Sequence, residues 1–389
     1  MKIVGIGCCV IDYIYQGIDF TQKPISEYIS EDNINGLVFG EATLIKHLED
    51  HFNKSIDTIL SEIVGDKKYK RSLGGVAVAT LIGASQLINN EIFNIKFYAN
   101  LSNNNDGKYM FQEIQRTPLK TDKISFKNGT SAITYVLCGT TVRNEGSRTF
   151  IGEAHADKKI QLTMDQLDEE FYKSDIAVFS DIQWEQGINK KFSTVLKKCK
   201  KNQCLTVVGT ANDLLMRGKE KWILGDSDDV YQYIDIIIFN KDEALYYSGK
   251  QSLKEAIIYY KNNTNLEGFL ITDGTNPVYV YGRGGICKFF DGFVKTAHII
   301  DEEKIKKNLP QGDTIGCGDN FVGGIVASVA QQLNNCKSSI DLLKACILGN
   351  LSGGLTSTII GGIFKEKYHG EKKDLVNKYL GIYLKSLNE

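Results

Sequence analysis

Three features of the stretch Gly312-Asp313-Thr314-Ile315-Gly316-Cys317-Gly318-Asp319-Asn320-Phe321-Val322-Gly323-Gly324 bear on chemistry. Gly316 and Gly318 carry no Cβ, so neighbouring backbone N–H groups can converge into a concave donor nest. An apolar, glycine-rich helical segment begins directly afterwards, which aims the positive end of its dipole at the same spot. Asp319 stands at the mouth of that helix, where a carboxylate can accept a proton from an incoming hydroxyl. An anion hole beside a general base suits phosphoryl transfer, which needs positioning and charge stabilisation more than covalent chemistry. The same residues also read as a glycine-rich turn with Asp319 as a helix N-cap. Spacing alone leaves both readings open.

Such a site must be held by strands and helices, and the chain supplies them in alternation. Lys2–Ile11 is a β-branched apolar run of the kind buried in parallel sheets, ending at Asp12. Gly74-Gly75 opens a small-residue helix over Val76–Leu87, and Ile95–Leu101 reads as a strand. Thr130–Cys138 and Ser147–Ile151 read as strands joined by a turn at Asn144–Gly146. Strands follow at Ile176–Phe179, Leu205–Val208, Ile234–Phe239 and Gly268–Thr272, with helices at Asn189–Lys200 and Leu253–Tyr260 between them. Val278–Tyr281 and Ile286–Phe290 suggest a hairpin, and Asp319–Leu333 and Leu342–Leu355 are long small-residue helices. This alternation predicts an α/β fold with a central, mostly parallel sheet flanked by helices on both faces. Extra strands near 13–30 and 130–151 are expected to form a separate small sheet over one edge.

Composition narrows the classes. The 389 residues carry 46 basic and 47 acidic side chains, a net charge of −1 without a long basic block, which argues against a nucleic-acid partner. The N-terminal apolar run Ile3–Ile11 is too short to span a membrane, and no cleavage-site pattern follows it. Nine cysteines, an odd number without a C-x-x-C pair, point to reduced thiols and a cytoplasmic protein.

The Gly312–Gly324 stretch resembles the C-terminal signature of the ribokinase-like (PfkB) carbohydrate kinase family, D-T-x-G-A-G-D followed by F-x-G-G, with Cys317 in place of the usual alanine. The resemblance implies a ribokinase-like fold with a small β-sheet lid, residues 1–389 forming one kinase domain with lid elements at approximately 13–71 and 128–152. It implies that Asp319 is the catalytic base and that the Gly316, Cys317 and Gly318 amides hold the transferring phosphoryl. Asp313 and Thr314 would shape a loop beside a monovalent cation. Other segments resemble the family in the same order along the chain. Asp12, after Gly7-Cys8-Cys9-Val10-Ile11, and Gly74-Gly75 would bind substrate, as would Asp181. Asn105-Asp106-Gly107 falls at the family's D-x-x-G turn, and Asn144–Phe150 resembles G-E-R-T-F with one residue inserted. Asn240-Lys241-Asp242-Glu243 matches N-x-x-E, whose Asn240 and Glu243 would organise Mg²⁺ through water beside ATP. Thr272, Gly274 and Asn350 would complete the nucleotide site. A sugar or nucleoside would be the acceptor, and a homodimer through the lid is a further implication.

Two departures stand out. The family's substrate asparagine after G-G is Ala79 here, and the segment between Asp12 and Gly74 is long, as in the adenosine-kinase-like branch. Other readings compete. Gly5-Ile6-Gly7 lacks the third glycine of a dinucleotide fingerprint. His47 and His51 share a helix face without the Glu of a metalloprotease motif. Asn240 with Glu243 also reads as a helix-start cap, Arg148 as a solvated hairpin residue, and Asp12 as a strand-end cap. A non-catalytic ligand-binding protein on the same fold is the rival class.

Overall fold

The computed structural model describes residues 1–31, 35–139, 148–153, 157–298, 300, 312, 314–335 and 339–387. Its main sheet has eight strands: β1 (Lys2–Gly7), β5 (Asn94–Phe97), β10 (Ile176–Ser180), β11 (Leu205–Gly209), β12 (Ile236–Asn240), β13 (Gly268–Asp273), β14 (Asn276–Gly282) and β15 (Phe290–Val294). Their order is β15-β14-β13-β12-β11-β10-β1-β5. The pairs from β5 to β13 are parallel, and β14 and β15 add an antiparallel edge. A second sheet has five strands, β3-β9-β8-β2-β4, built from β2 (Val10–Ile18), β3 (Ala42–Leu44), β4 (Tyr69–Gly74), β8 (Ile133–Gly139) and β9 (Arg148–Gly152). β6 (Ala99–Ser102) and β7 (Ile124–Lys127) pair separately.

The alternation of side chains along the parallel strands divides the core into two layers. Ile3, Ile176, Val178 and Val207 join one cluster with the helices α3 (Val76–Ser85), α10 (Cys317–Asn334) and α11 (Leu342–Thr356). Val4, Ala177, Phe179 and Val208 join the other, with α7 (Phe192–Lys201), α8 (Lys241–Ser248) and α9 (Leu253–Asn263). The short α5 (Glu169–Tyr172) and α6 (Gln186–Asn189) precede α7, and α12 (Glu371–Ser386) packs on α11. A third cluster joins the small sheet to α1 (Ile45–Phe52) and α2 (Ile56–Val64), and α4 (Asn105–Gln115) lies near β2 and β4. Among the described residues no helix is long and apolar enough to cross a membrane.

Several expectations need correction. Lys2–Ile11 is two strands, because the chain turns at Gly7, whose φ of +139° excludes a side chain. A Cβ there would lie 1.7 Å from the Ser180 carbonyl oxygen. Asp12 consequently lies inside β2 on the small sheet, paired with Ser72, rather than at the end of a main-sheet strand. Ile95–Leu101 is likewise split at Tyr98 between β5 and β6. The hairpin partner of β14 is Phe290–Val294 rather than Ile286–Phe290, since Gly284 and the following residues form the turn. Asn105-Asp106-Gly107 is the first turn of α4, with Asn104 as its cap, accepting from the Gly107 amide at 2.8 Å. The turn placed at Asn144–Gly146 lies outside the described residues.

Candidate active site

Helix α10 begins at Cys317 because Gly316 turns the chain with a φ of +70°, in the left-handed region. A Cβ on Gly316 would stand 2.5 Å from the Gly362 Cα, so both conformation and space select glycine. Gly318 is different: a Cβ there would meet nothing within 4 Å, so this first turn of α10 borders open space. The Cys317 amide donates to the Thr314 carbonyl at 3.3 Å, closing the turn. Gly323 and Gly324 let α10 approach its neighbours. A Cβ on Gly323 would lie 2.6 Å from the Thr80 carbonyl of α3, and one on Gly324 2.7 Å from the Gly349 Cα of α11.

Asp319, in the first turn of α10, is half-buried, and its carbonyl accepts from the Thr80 hydroxyl at 3.2 Å. Burial pushes its carboxyl up to about 7, the Asp181 and Glu243 carboxylates push the same way, and the Arg148 guanidinium opposes them. Asp181 sits just past β10 with a φ of +55°, a strained conformation that a short polar side chain tolerates. Its carboxyl is also raised to about 7, chiefly by burial, while a hydrogen bond from the Cys8 thiol partly offsets this. Glu185 and Asp213 are raised as well, both mainly by burial, and Glu185 accepts from the Leu162 amide at 2.7 Å. The structure thus gathers an acidic floor from the ends of β10, β11 and β12 and the start of α10.

The remaining candidates fall around this floor. Asn240 and Glu243 form a capping box at the start of α8: the Asn240 side-chain oxygen accepts from the Glu243 amide at 2.8 Å, and Glu243 accepts from the Asn240 amide at 2.9 Å. The buried Glu243 carboxylate also accepts from the Asn240 side-chain amide at 2.7 Å and the Thr210 hydroxyl at 2.6 Å. Thr272 pairs with Asn240 across β12 and β13, and the exposed Gly274 turns the chain beyond it with a φ of +59°. Asp12 is buried with its carboxylate against Gly74; a Cβ on Gly74 would fall 2.1 Å from Asp12 Oδ2. Gly75, with a φ of +108°, packs on Cys8 and Cys9 and starts α3. Ala79 is buried within α3. Asn350 lies on α11, where its amide donates to the Tyr383 hydroxyl at 2.8 Å and the Lys295 carbonyl at 3.2 Å. Asp313 lies outside the described residues, and the Thr314 hydroxyl accepts from Arg148.

A cavity of about 160 Å³ lies between the sheets, lined by Thr134 and Phe150 from the small sheet and by Asp181, Gln183, Trp184 and Asp213 from the main one. Arg217 reaches Glu41 at 2.7 Å, tying the loop after β11 to the residue before β3. Sequence reasoning left Glu185, Asp213 and Arg217 unmarked and left Arg148 open. The positions just past β10 and β11 were the available signal, because ligands of open α/β sheets gather at carboxyl ends of strands.

Comparisons with known proteins show the family and the fold. Residues 48–367 match the sequence profile described as pfkB family carbohydrate kinase. A probable fructokinase-7 from Arabidopsis thaliana is 21% identical over 310 residues, spanning 76% of this chain and 81% of that protein. Adenosine kinase from Sinorhizobium meliloti superposes with a TM-score of 0.70 at 14% identity, covering 97% of this chain and 98% of that one. Fructokinase with bound ATP from Xylella fastidiosa superposes at 0.64 with 12% identity, covering 98% of each chain. The architecture is the ribokinase-like α/β fold, a large mostly parallel sheet with flanking helices and a separate small sheet. The chain belongs to the pfkB family of carbohydrate kinases, and so to the sugar and nucleoside kinases.

Proposed function

We propose that the protein transfers the γ-phosphoryl of ATP to a hydroxymethyl group of an uncharged sugar or nucleoside, with Asp319 as general base. The observation that carries this reading is the placement of the Asp319 carboxyl in the first turn of α10, directly after the left-handed Gly316 turn and the open Gly318 position. A base poised near the working pH accepts a proton most effectively. Asp319 takes the acceptor's hydroxyl proton as that oxygen attacks the γ-phosphorus, and the bond to the β-phosphate oxygen breaks to release ADP. Charge on the transferring group meets the Gly316, Cys317 and Gly318 amides and the Arg148 guanidinium.

Asp12, Gly74, Gly75 and Asp181 frame the acceptor, and the small sheet acts as a lid that excludes water. Asn240, Thr272 and Gly274 border the nucleotide. The donor set around Glu243 is oxygen-rich and its carboxylate already accepts three hydrogen bonds, which suits Mg²⁺ held through water by Asn240 and Glu243 rather than bound directly. When bound, Mg²⁺ neutralises phosphate charge.

The test is a coupled ADP-release assay with Mg·ATP over a panel of sugars and nucleosides, run beside Asp319→Asn. Turnover on one acceptor that the variant loses supports the reading. Full activity in Asp319→Asn, or no ATP-dependent turnover on any acceptor, overturns it.

A further inference from the structure

The first turn of α12 buries a lysine that the mechanism above does not use. Lys372 is 0% exposed, and its ammonium donates to the side-chain oxygen of Asn320, the residue after Asp319. Among the described residues no carboxylate forms an ion pair with it. A fully buried ammonium hydrogen-bonded to an amide oxygen rather than to a carboxylate is costly, and such a group is a candidate for a role at the site. Burial lowers Lys372 to about 7, with Glu366 and Cys317 acting in the opposite sense.

Asn320 connects that ammonium to the anion-hole turn. Its side-chain nitrogen donates to the Gly316 carbonyl at 2.8 Å and to the Gly362 carbonyl at 2.9 Å, and its backbone amide also donates to the Gly316 carbonyl at 2.8 Å. The Gly316 carbonyl and the Cys317 amide belong to one planar trans peptide unit, so fixing the carbonyl direction fixes the amide in the opposite direction. Space for this arrangement is left by Gly83 of α3, where a Cβ would lie 2.8 Å from Asn320 Oδ1 and 3.3 Å from Lys372 Nζ. Lys372 also falls beyond residues 48–367, the part of the chain that matches the family.

We propose that Lys372 is a positioning residue for phosphoryl transfer, holding Asn320 so that the Gly316–Cys317 peptide, and with it the turn that carries the Gly318 amide and Asp319, keeps its orientation at the transferring group. The inference rests on the anion-hole reading of Gly316–Gly318. It requires a loss in kcat, not in ground-state binding, because an amide aimed at developing charge matters most in the transition state.

The experiment measures kcat, both KM values and melting temperature for wild type, Lys372→Met, Asn320→Ala, their double variant, Gly83→Ala and Asp319→Asn. Lys372→Met is expected to lose roughly 10- to 100-fold in kcat, with both KM values within about threefold of wild type. Its melting temperature should not fall, since methionine removes a buried charge at similar volume. The double variant should be no slower than Asn320→Ala alone, because both changes break one chain of contacts. Gly83→Ala, which retains the lysine but crowds its bond to Asn320, should show the same kcat-selective loss. Unchanged kcat in Lys372→Met, multiplicative losses in the double variant, or a kcat loss that merely follows a lowered melting temperature across the variants overturns the proposal. An active wild type with a dead Asp319→Asn beside any of those outcomes confines the failure to Lys372. An active Asp319→Asn sinks both readings.

Discussion

The guanidinium of Arg148, on β9 of the small sheet, donates to the hydroxyl of Thr314, in the loop that leads into α10. A side chain of one sheet is thereby held beside the Asp319 carboxyl, whose proton affinity it lowers. The expected role is to bring positive charge to the transferring phosphoryl when the sheets close on substrate. Arg148→Ala should reduce kcat by about 10²- to 10³-fold, the usual effect of removing one donor aimed at developing charge. Steady-state kinetics on the acceptor found in the panel checks this, and an unchanged kcat would place Arg148 outside the chemistry.

Asp319 makes a prediction with two readouts. With its carboxyl raised to about 7, kcat should climb as pH rises through neutrality, because only the deprotonated form accepts the acceptor's proton. Asp319→Asn should lose about 10²- to 10⁴-fold in kcat. The same shift governs stability. The folded state binds this proton more tightly than the unfolded chain, so the contribution is present at low pH and is lost as pH rises through about 7. Asp319→Asn should therefore gain melting temperature over wild type progressively between about pH 4 and pH 7, and hold that gain above it. A difference that does not vary with pH would mean that Asp319 titrates normally.

Two glycines two residues apart should respond differently to alanine. Gly316→Ala meets a φ of +70° and the Gly362 backbone, so it should lower the melting temperature as well as activity. Gly318→Ala adds a methyl to open space and should fold like wild type. That methyl would occupy the place assigned to the phosphoryl group, so kcat should still drop. Thermal melts beside kinetics separate the two, and full activity in Gly318→Ala would argue that no phosphoryl group approaches there.

If the acceptor framed by Asp181 enters the cavity between the sheets, which Asp181 also lines, the cavity sets a preference among acceptors. Asp181, Asp213 and Glu153 line it, and among the described residues no lysine or arginine does. A phosphate-bearing or carboxylate-bearing acceptor would meet uncompensated like charge. The assay panel should accordingly show neutral acceptors turned over and their phosphorylated counterparts inert. Preferential turnover of a phosphosugar would contradict the assignment of this cavity to the acceptor.

The parts of the site that were legible in the sequence are those whose meaning is local. Gly316, Gly318 and Asp319 combine a left-handed turn, an open position and a helix start within a few residues, so their types and spacing carry the message. Asn240 and Glu243 were legible for a related reason, and the structure makes them a capping box whatever else they do. Glu185, Asp213, Arg217 and Lys372 had no such signature. Each is an ordinary charged residue that acquires its setting from a segment far away in the chain, as when Lys372 meets Asn320. The break between β1 and β2 was missed because Ile3–Ile11 carries no charged residue and shows no change of period where the chain leaves one sheet for the other. Gly7 was the one local clue, and it became meaningful only against the Ser180 carbonyl.

The place of β1 in the main sheet has a consequence for how the protein is made. β1 precedes both of its neighbours in the chain, yet it lies between β5 and β10. β5 can pair with it early, whereas β10 follows about 80 residues later, a wait of roughly 4–16 s at common translation rates. Through that interval the apolar edge of β1 has no partner on its second side, and an uncovered strand edge invites pairing with other chains. β1, one strand in from the β5 edge of the finished sheet, is therefore a segment of the nascent chain that a chaperone would protect.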